Sequence, residues 1–220
     1  VNSTAGSPYH GPNFRSYYIG KNLLKLGYDV TVIANSYFHK FYNFPTLKST
    51  FTDENIDGLN YIWVKTRKYY NRGILQLYNQ IQFTLKLCTN FHKLGLKDST
   101  IFIVSSPVPF SIFPIIFYAK IWNKKVIFEI RDLWPLALQQ VFKLSKWHPY
   151  IFILQKTERF GYRNSDHIVS VKPGDFEYIR DRYNITKDKF TYIPNGIDFS
   201  IKPIKVLPIK IRKRIPENKF

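Results

Sequence analysis

Methionine is absent from all 220 residues, cysteine occurs once, and acidic side chains are scarce. A single cysteine, Cys88, excludes an internal disulfide and any zinc site built on several cysteines. It leaves a reducing compartment open. With Val1 in first place and no Met anywhere, a piece of a longer chain is the expectation. No apolar run reaches the roughly 18 residues of a membrane span. The longest stretch, residues 108–121, is broken by Pro109, Pro114 and Lys120. No secretory leader opens the sequence. Neither a Gly-x-Gly-x-x-Gly fingerprint nor a P-loop is present, so nicotinamide or ATP binding is not signalled. His10, His39, His92, His148 and His167 lack metal-ligand spacing, and no metal is expected.

What the chain has in excess is positive charge. Lys and Arg number 33 against 15 Asp and Glu, a net charge of +18. That favours polyanionic partners: nucleic acid, an anionic membrane surface or a phosphorylated substrate. Hydrophobic residues make up 45% and aromatics 18%, a globular composition with enough length for a sizeable core.

Strand-like and helix-like segments alternate. Residues 13–26 read as a helix, with Pro12 in its first turn and Gly27 as its stop. Residues 29–34 and 59–65 read as strands, and residues 37–58 as irregular. In residues 74–94, Ile74, Leu77, Tyr78, Ile81, Leu85 and Cys88 recur at helical spacing; this predicts a core-facing stripe with Cys88 as a small core residue. Strands follow at 100–105, 125–130, 167–171 and 189–193, with helices at 111–122, 148–163 and 173–183 between them. Apolar strands joined by helices predict a parallel α/β sheet, Rossmann-like, with helices on both faces. Ligands of such a sheet sit at the carboxyl ends of its strands.

The loops at those ends hold the candidates. Gly11 and Arg15 precede the first helix, where backbone N–H groups and a guanidinium suit an anion; an ordinary turn with a surface Arg fits equally. Ser105 and Ser106 follow a buried strand and can bond a ligand or cap the next element. Glu129, Arg131 and Asp132 crowd a Trp-Pro corner at a strand end, where no charge is needed for folding. Asp132 can serve as a base or bind a sugar hydroxyl. Arg131 can hold a phosphate or pair with a carboxylate. Asn195, Gly196 and Asp198 form either a turn or a site. Residues 142–156 interleave Lys with Trp147 and Tyr150, as on an anionic bilayer or in a loop packed on the sheet. No nucleic-acid module reads out, so nucleic acid is not an expected partner.

Taken in order, the motifs resemble glycosyltransferase family 4. They are Gly11 with Arg15, the run Leu26-Gly27-Tyr28-Asp29-Val30, Phe128-Glu-Ile-Arg-Asp-Leu-Trp-Pro-Leu136, His148-Pro149, Glu158, the run 165–170, and Ile193-Pro-Asn-Gly-Ile-Asp198. The likeness is greatest to fucosamine-transferase-like enzymes of bacterial O-antigen and capsule synthesis. It implies the N-terminal half of a GT-B fold, with residues 1–198 as the acceptor-side domain. Residues 199–220 would be a linker toward a donor-binding domain, and Val1-Asn2 the end of a first strand. The implied activity is retaining hexosyl transfer from a nucleotide sugar, expected to be a UDP-sugar, without a cofactor or essential metal. The implied acceptor is a glycan or a lipid-diphosphate-linked glycan. The implied location is the bacterial cytoplasm, peripheral to the anionic inner face of the membrane. Asp132 and Arg131 become the catalytic candidates, with Arg131 where many relatives carry His. Gly11, Arg15, Ser105, Ser106, Asn195, Gly196 and Asp198 become substrate-binding candidates. By itself the chain is then expected to be inactive. The alternative is a non-catalytic basic α/β module that binds anionic lipid or nucleic acid.

Overall fold

A computed structural model describes residues 1–70, 73–106, 109–141 and 143–196. Two sheets form. In the first, β1 (Thr31–Asn35) lies parallel to β3 (Leu59–Val64), and β2 (Phe51–Ile56) closes the edge antiparallel to β3. In the second, β4 (Ile101–Ser105), β5 (Lys125–Ile130), β6 (His167–Ser170) and β7 (Phe190–Tyr192) run parallel in sequential order.

The first residues join the two sheets. Asn2 N–H donates to Ile33 O, and Asn35 N–H to Ser3 O. On the other side Ser105 N–H donates to Val1 O. Residues 1–3 therefore lie between β1 and β4 and bond to both.

Alternation along the strands sorts side chains to two faces. Ile33, Ile62 and Val64 face one core with Phe102, Val104, Val126 and Phe128. That core is covered by α2 (Ile74–Asn90), α3 (Ile112–Ile121), α5 (Pro149–Asn164) and α6 (Asp175–Tyr183), through residues such as Phe83, Ile115, Tyr162 and Ile179. Val32, Ala34, Tyr61 and Trp63 face the other way, against Tyr17 of α1 (Arg15–Lys25). Helices thus cover both faces, the α/β arrangement the sequence predicts.

Several local expectations are corrected. The stretch read as irregular contains β2. Its turn is the two-residue Asp57-Gly58, with φ of 52° and 89°, and Ile56 pairs with Leu59 across it. Both central residues at positive φ suit a right-twisted hairpin, and Asp-Gly is its usual sequence. Helix α1 begins at Arg15, not 13, because Asn13 sits at φ 77°, outside helical space. Its end follows the reading. Gly27 at φ 85° bonds Leu24 O, and Tyr28 N–H bonds Leu23 O, which satisfies the last carbonyls. The expected Trp-Pro corner is instead the first turn of α4 (Trp134–Val141), where a proline without N–H costs nothing.

The largest correction concerns α2. Its predicted core stripe mostly points outward: Ile74, Tyr78, Ile81 and Leu85 are exposed, as is Cys88, while Leu77 packs in part against a small cluster around Phe110 and Ile151. The buried face is Asn79, Gln80, Phe83 and Leu87. Asn79 is tolerated there because its polar atoms are paired. It accepts from Asn35 Nδ2 at 2.6 Å and donates to Thr66 Oγ1 at 2.8 Å and Arg67 O at 2.7 Å.

Under α5 lies a buried carboxyl. Glu158 accepts from Tyr162 Oη at 3.1 Å and Tyr183 Oη at 3.0 Å. Burial pushes its pKa from 4.5 up to about 7, against the pull of the two hydroxyls. The folded state therefore holds this proton more tightly than the unfolded chain. Its contribution to stability is full below about pH 4.5 and is lost as pH rises toward 7. Glu158→Gln, which cannot ionise, is expected to be more stable than the parent by up to about 3 kcal/mol at pH 8 and no different at pH 4. Urea denaturation at the two pH values checks this; a gap that does not change with pH refutes it.

Candidate functional site

The carboxyl ends of β4 and β5 meet the loop before α1 and the segment after β7. Glu129 on β5 lies in register with Ser105 on β4. Buried, it accepts from Ser105 Oγ at 2.6 Å through one oxygen and from Arg15 Nε at 2.8 Å through the other. Paired and hydrogen-bonded, the charge is tolerated within an apolar strand. The remainder of the Arg15 fork reaches the far end of the chain. Its Nη1 donates to Pro194 O at 2.9 Å and Asn195 Oδ1 at 3.1 Å, and its Nη2 to Ile193 O at 3.0 Å. Arg15 thus ties three segments together, and four of its donor contacts are already made within the protein.

Ser106 shapes the next turn. Its N–H donates to Glu129 O, and its hydroxyl accepts from Arg131 N at 2.8 Å and Asp132 N at 3.4 Å. Arg131 and Asp132, adjacent in sequence, take different partners. Asp132 pairs with Lys172 at 3.0 Å, both about half exposed. Arg131 Nη2 donates to Asn13 Oδ1 at 3.4 Å, and its Nη1 is buried without a hydrogen-bond partner. Burial lowers the Arg131 pKa, with Glu129 opposing and Arg15 adding to the effect. A buried guanidinium nitrogen without a partner costs free energy unless an acceptor arrives.

Gly11 is held where a side chain would not fit. At φ 148°, a Cβ would stand 2.8 Å from Phe41 Cα, and its N–H is donated to Ser7 O. Beneath this loop, Ser7 Oγ bonds His10 Nδ1 at 2.8 Å, and His10 Nε2 lies 3.3 Å from Glu54 Oε2, which also accepts from Trp63 Nε1 at 2.6 Å. Burial lowers the His10 pKa while Glu54 opposes it. Ser7 is fully buried, so this chain of contacts braces the loop and exposes no nucleophile.

Of the predicted residues, Arg15, Ser105, Ser106, Arg131, Asp132 and Asn195 converge on this edge. Gly196 follows Asn195, with nothing within 4 Å of its Cβ direction. Asp198 lies outside the described residues, as does the 199–220 segment. Two central partners are Glu129, which the sequence reading singled out without giving it a role, and Asn13, which it did not consider for the site. Glu129 had a signal, a lone carboxylate in an apolar strand; Asn13 had none.

Among the described residues no group of three or more His, Cys, Asp or Glu is placed to hold a metal ion, and no helix is long and apolar enough to cross a membrane. No curated protein matches the chain at a significant level. The profile of glycosyltransferase family 4 matches residues 10–201, from the Gly11 loop through the segment gripped by Arg15. That span includes every element described above and most of the chain, which therefore belongs to glycosyltransferase family 4, a family of enzymes that transfer sugars from nucleotide-sugar donors.

Proposed function

We propose that the chain supplies the acceptor-side domain of a retaining glycosyltransferase of bacterial surface-polysaccharide synthesis, such as O-antigen or capsule. The donor is a UDP-sugar, gripped mainly by a second domain of the GT-B type, and the acceptor is a lipid-diphosphate-linked glycan. The observation that carries this reading is the buried Arg131 Nη1 without a partner, at the strand edge where ligands of parallel sheets bind.

In this reading Arg131 meets an oxygen of the acceptor or the transferred sugar. Asp132 orients a sugar hydroxyl, its charge balanced by Lys172. Ser106 fixes both backbones. Gly11 lets the loop lie close against Phe41, and in this reading the loop approaches the diphosphate. Arg15, with Ser105 and Asn195, acts as a positioning residue for the segment that leads to Gly196 and Asp198. The work of the protein is orientation and charge stabilisation, which suits a transition state rich in developing charge.

The test uses the 220-residue chain. It is expected to bind a polyprenyl-diphosphate-linked sugar in detergent and to turn over no UDP-sugar by itself. Arg131→Ala is expected to weaken acceptor binding at least about tenfold, the scale of one lost charged hydrogen bond, with unchanged melting temperature. Turnover of a UDP-sugar by the isolated chain, or acceptor binding indifferent to Arg131, would sink the proposal.

A further inference from the structure

The first sheet has a carboxyl edge of its own. β1 and β3 are parallel and end in register, Asn35 opposite Val64. The segments that leave these two strands enclose a cavity of about 380 Å³, which none of the candidate-site residues lines. Residues 1–3 and β4 stand between β1 and β5, so the end of β1 lies about 14 Å along the same edge from the Arg131 turn.

The floor of the cavity is polar and fixed. Thr66 Oγ1 donates to Asn35 Oδ1 and accepts from Asn79 Nδ2 at 2.8 Å, while Asn79 Oδ1 accepts from Asn35 Nδ2 at 2.6 Å. All three residues are buried. A closed ring of buried hydrogen bonds rigidifies what rests on it. It also accounts for α2 turning Asn79 inward. Ser36, 5% exposed, accepts from Thr66 N at 3.3 Å and lines the cavity. Its own O–H has no acceptor among the described residues, so a donor is left over.

One wall is aromatic. Phe44 stacks on Tyr37, with centroids 5.2 Å apart and planes 10° from parallel, and is itself exposed. Tyr37 is pinned by its hydroxyl, which donates to Tyr69 O at 2.6 Å. The other wall is cationic. Lys68 Nζ lies 5.1 Å from the Phe44 centroid, and Lys65 lines the same space. Among the described residues neither lysine pairs with a carboxylate. Lys86 Nζ donates to Lys65 O, and burial, with Lys65 adding to it, lowers the Lys86 pKa. Ammonium groups gathered without a counter-charge are relieved by an anion. Beyond Phe44 and Pro45 the balance changes: the adjoining cavity of about 280 Å³ sets Asp53 and Glu54 against Lys48. An anion is therefore steered to the Lys65 side.

An aromatic ring suits the apolar face of a pyranose. A spare hydroxyl donor suits a sugar oxygen, and two free ammonium groups suit a negative charge. The volume sits near the lower end for small-molecule pockets, the scale of a monosaccharide and not of a nucleotide sugar. We infer that this cavity is a second saccharide subsite, which takes an anionic unit of the acceptor: a pyranose bearing a carboxylate or a phosphate. The inference rests on the acceptor-side reading and adds to it a charge requirement at a unit remote from the reacting hydroxyl. A reaction that installs a uronic acid or a sugar phosphate must then precede this transfer.

NMR titration of the 220-residue chain tests this, read at the amides of Ser36 and Thr66. The probes are methyl glucuronide, glucosyl phosphate, methyl glucoside and inorganic phosphate. At least one anionic sugar is expected to bind at least about tenfold more tightly than methyl glucoside. A response to the glucuronide alone assigns a carboxylate, and one to glucosyl phosphate alone a phosphate. Lys65→Gln with Lys68→Gln is expected to erase the preference for charge, with the melting temperature unchanged because both side chains are exposed. Phe44→Ala is expected to weaken every sugar several-fold and inorganic phosphate not at all. No shift at Ser36 and Thr66, equal affinity for neutral and anionic sugars, or inorganic phosphate bound as tightly as glucosyl phosphate overturns the inference. So does binding indifferent to both variants. Anionic-sugar binding by a chain without affinity for a polyprenyl-diphosphate sugar sinks only the lipid-linked acceptor; the reverse sinks only this subsite.

Discussion

Glu129→Ala is expected to destabilise the protein by about 3–5 kcal/mol, the scale for breaking a buried ion pair from one side. The carboxylate is not merely lost. Arg15, whose side chain is 8% exposed, is left with its charge in a dry site, and Ser105 Oγ loses its acceptor. Removing both charges should cost far less: Arg15→Met with Glu129→Leu replaces the pair by packing of similar volume. That double variant should still lose the hydrogen bonds of the guanidinium fork to Ile193 O, Pro194 O and Asn195 Oδ1. The amide of Ile193, bonded to Ser170 O, reports on this segment, and its hydrogen exchange should accelerate in the double variant while the midpoint in urea recovers. If Glu129→Ala unfolds at the parent's urea concentration, the pair is not a structural keystone.

The second large effect contrasts two leucines two residues apart. Leu87→Ala is expected to cost about 2–5 kcal/mol, because Leu87 is fully buried beside Phe83 and Phe91. Leu85→Ala, on the exposed side of the same helix, should stay within about 0.5 kcal/mol. Equal costs, read from urea midpoints, would mean that α2 is rotated from the orientation described above.

The sheet was legible because its strands are nearly uniform apolar runs. Lys125-Val-Ile-Phe-Glu-Ile130 has few alternatives to a buried parallel strand, and its neighbours read the same way. β2 was not, since Phe51-Thr-Asp-Glu-Asn-Ile56 carries only terminal apolar residues, as an edge strand can. The one local clue was the Asp57-Gly58 turn. The period of α2 was read correctly and its phase was not. Apolar residues were assumed to face inward, whereas Asn79 faces inward because Asn35, Thr66 and Arg67 O satisfy it. For the site, residue types and strand ends were visible in sequence: a carboxylate within an apolar strand, small hydroxyls after another. Which of them meet was not. Arg15 contacts Glu129 across 114 positions and Ile193 across 178, and nothing local encodes either.

Those separations also set a timetable. During synthesis, at roughly 5–20 residues per second, Arg15 waits roughly 10–35 s before Ile193 exists to bond it. Val1 likewise waits for Ser105 before the two sheets can be stitched. Until then α1 and its hairpin, whose contacts are local, can form alone, while Arg15 and Glu129 stay hydrated. Distant pairings carry the greatest loop-closure cost and form slowly. The candidate site is therefore completed only once β7 and the segment after it exist, and a nascent chain has no complete site before then.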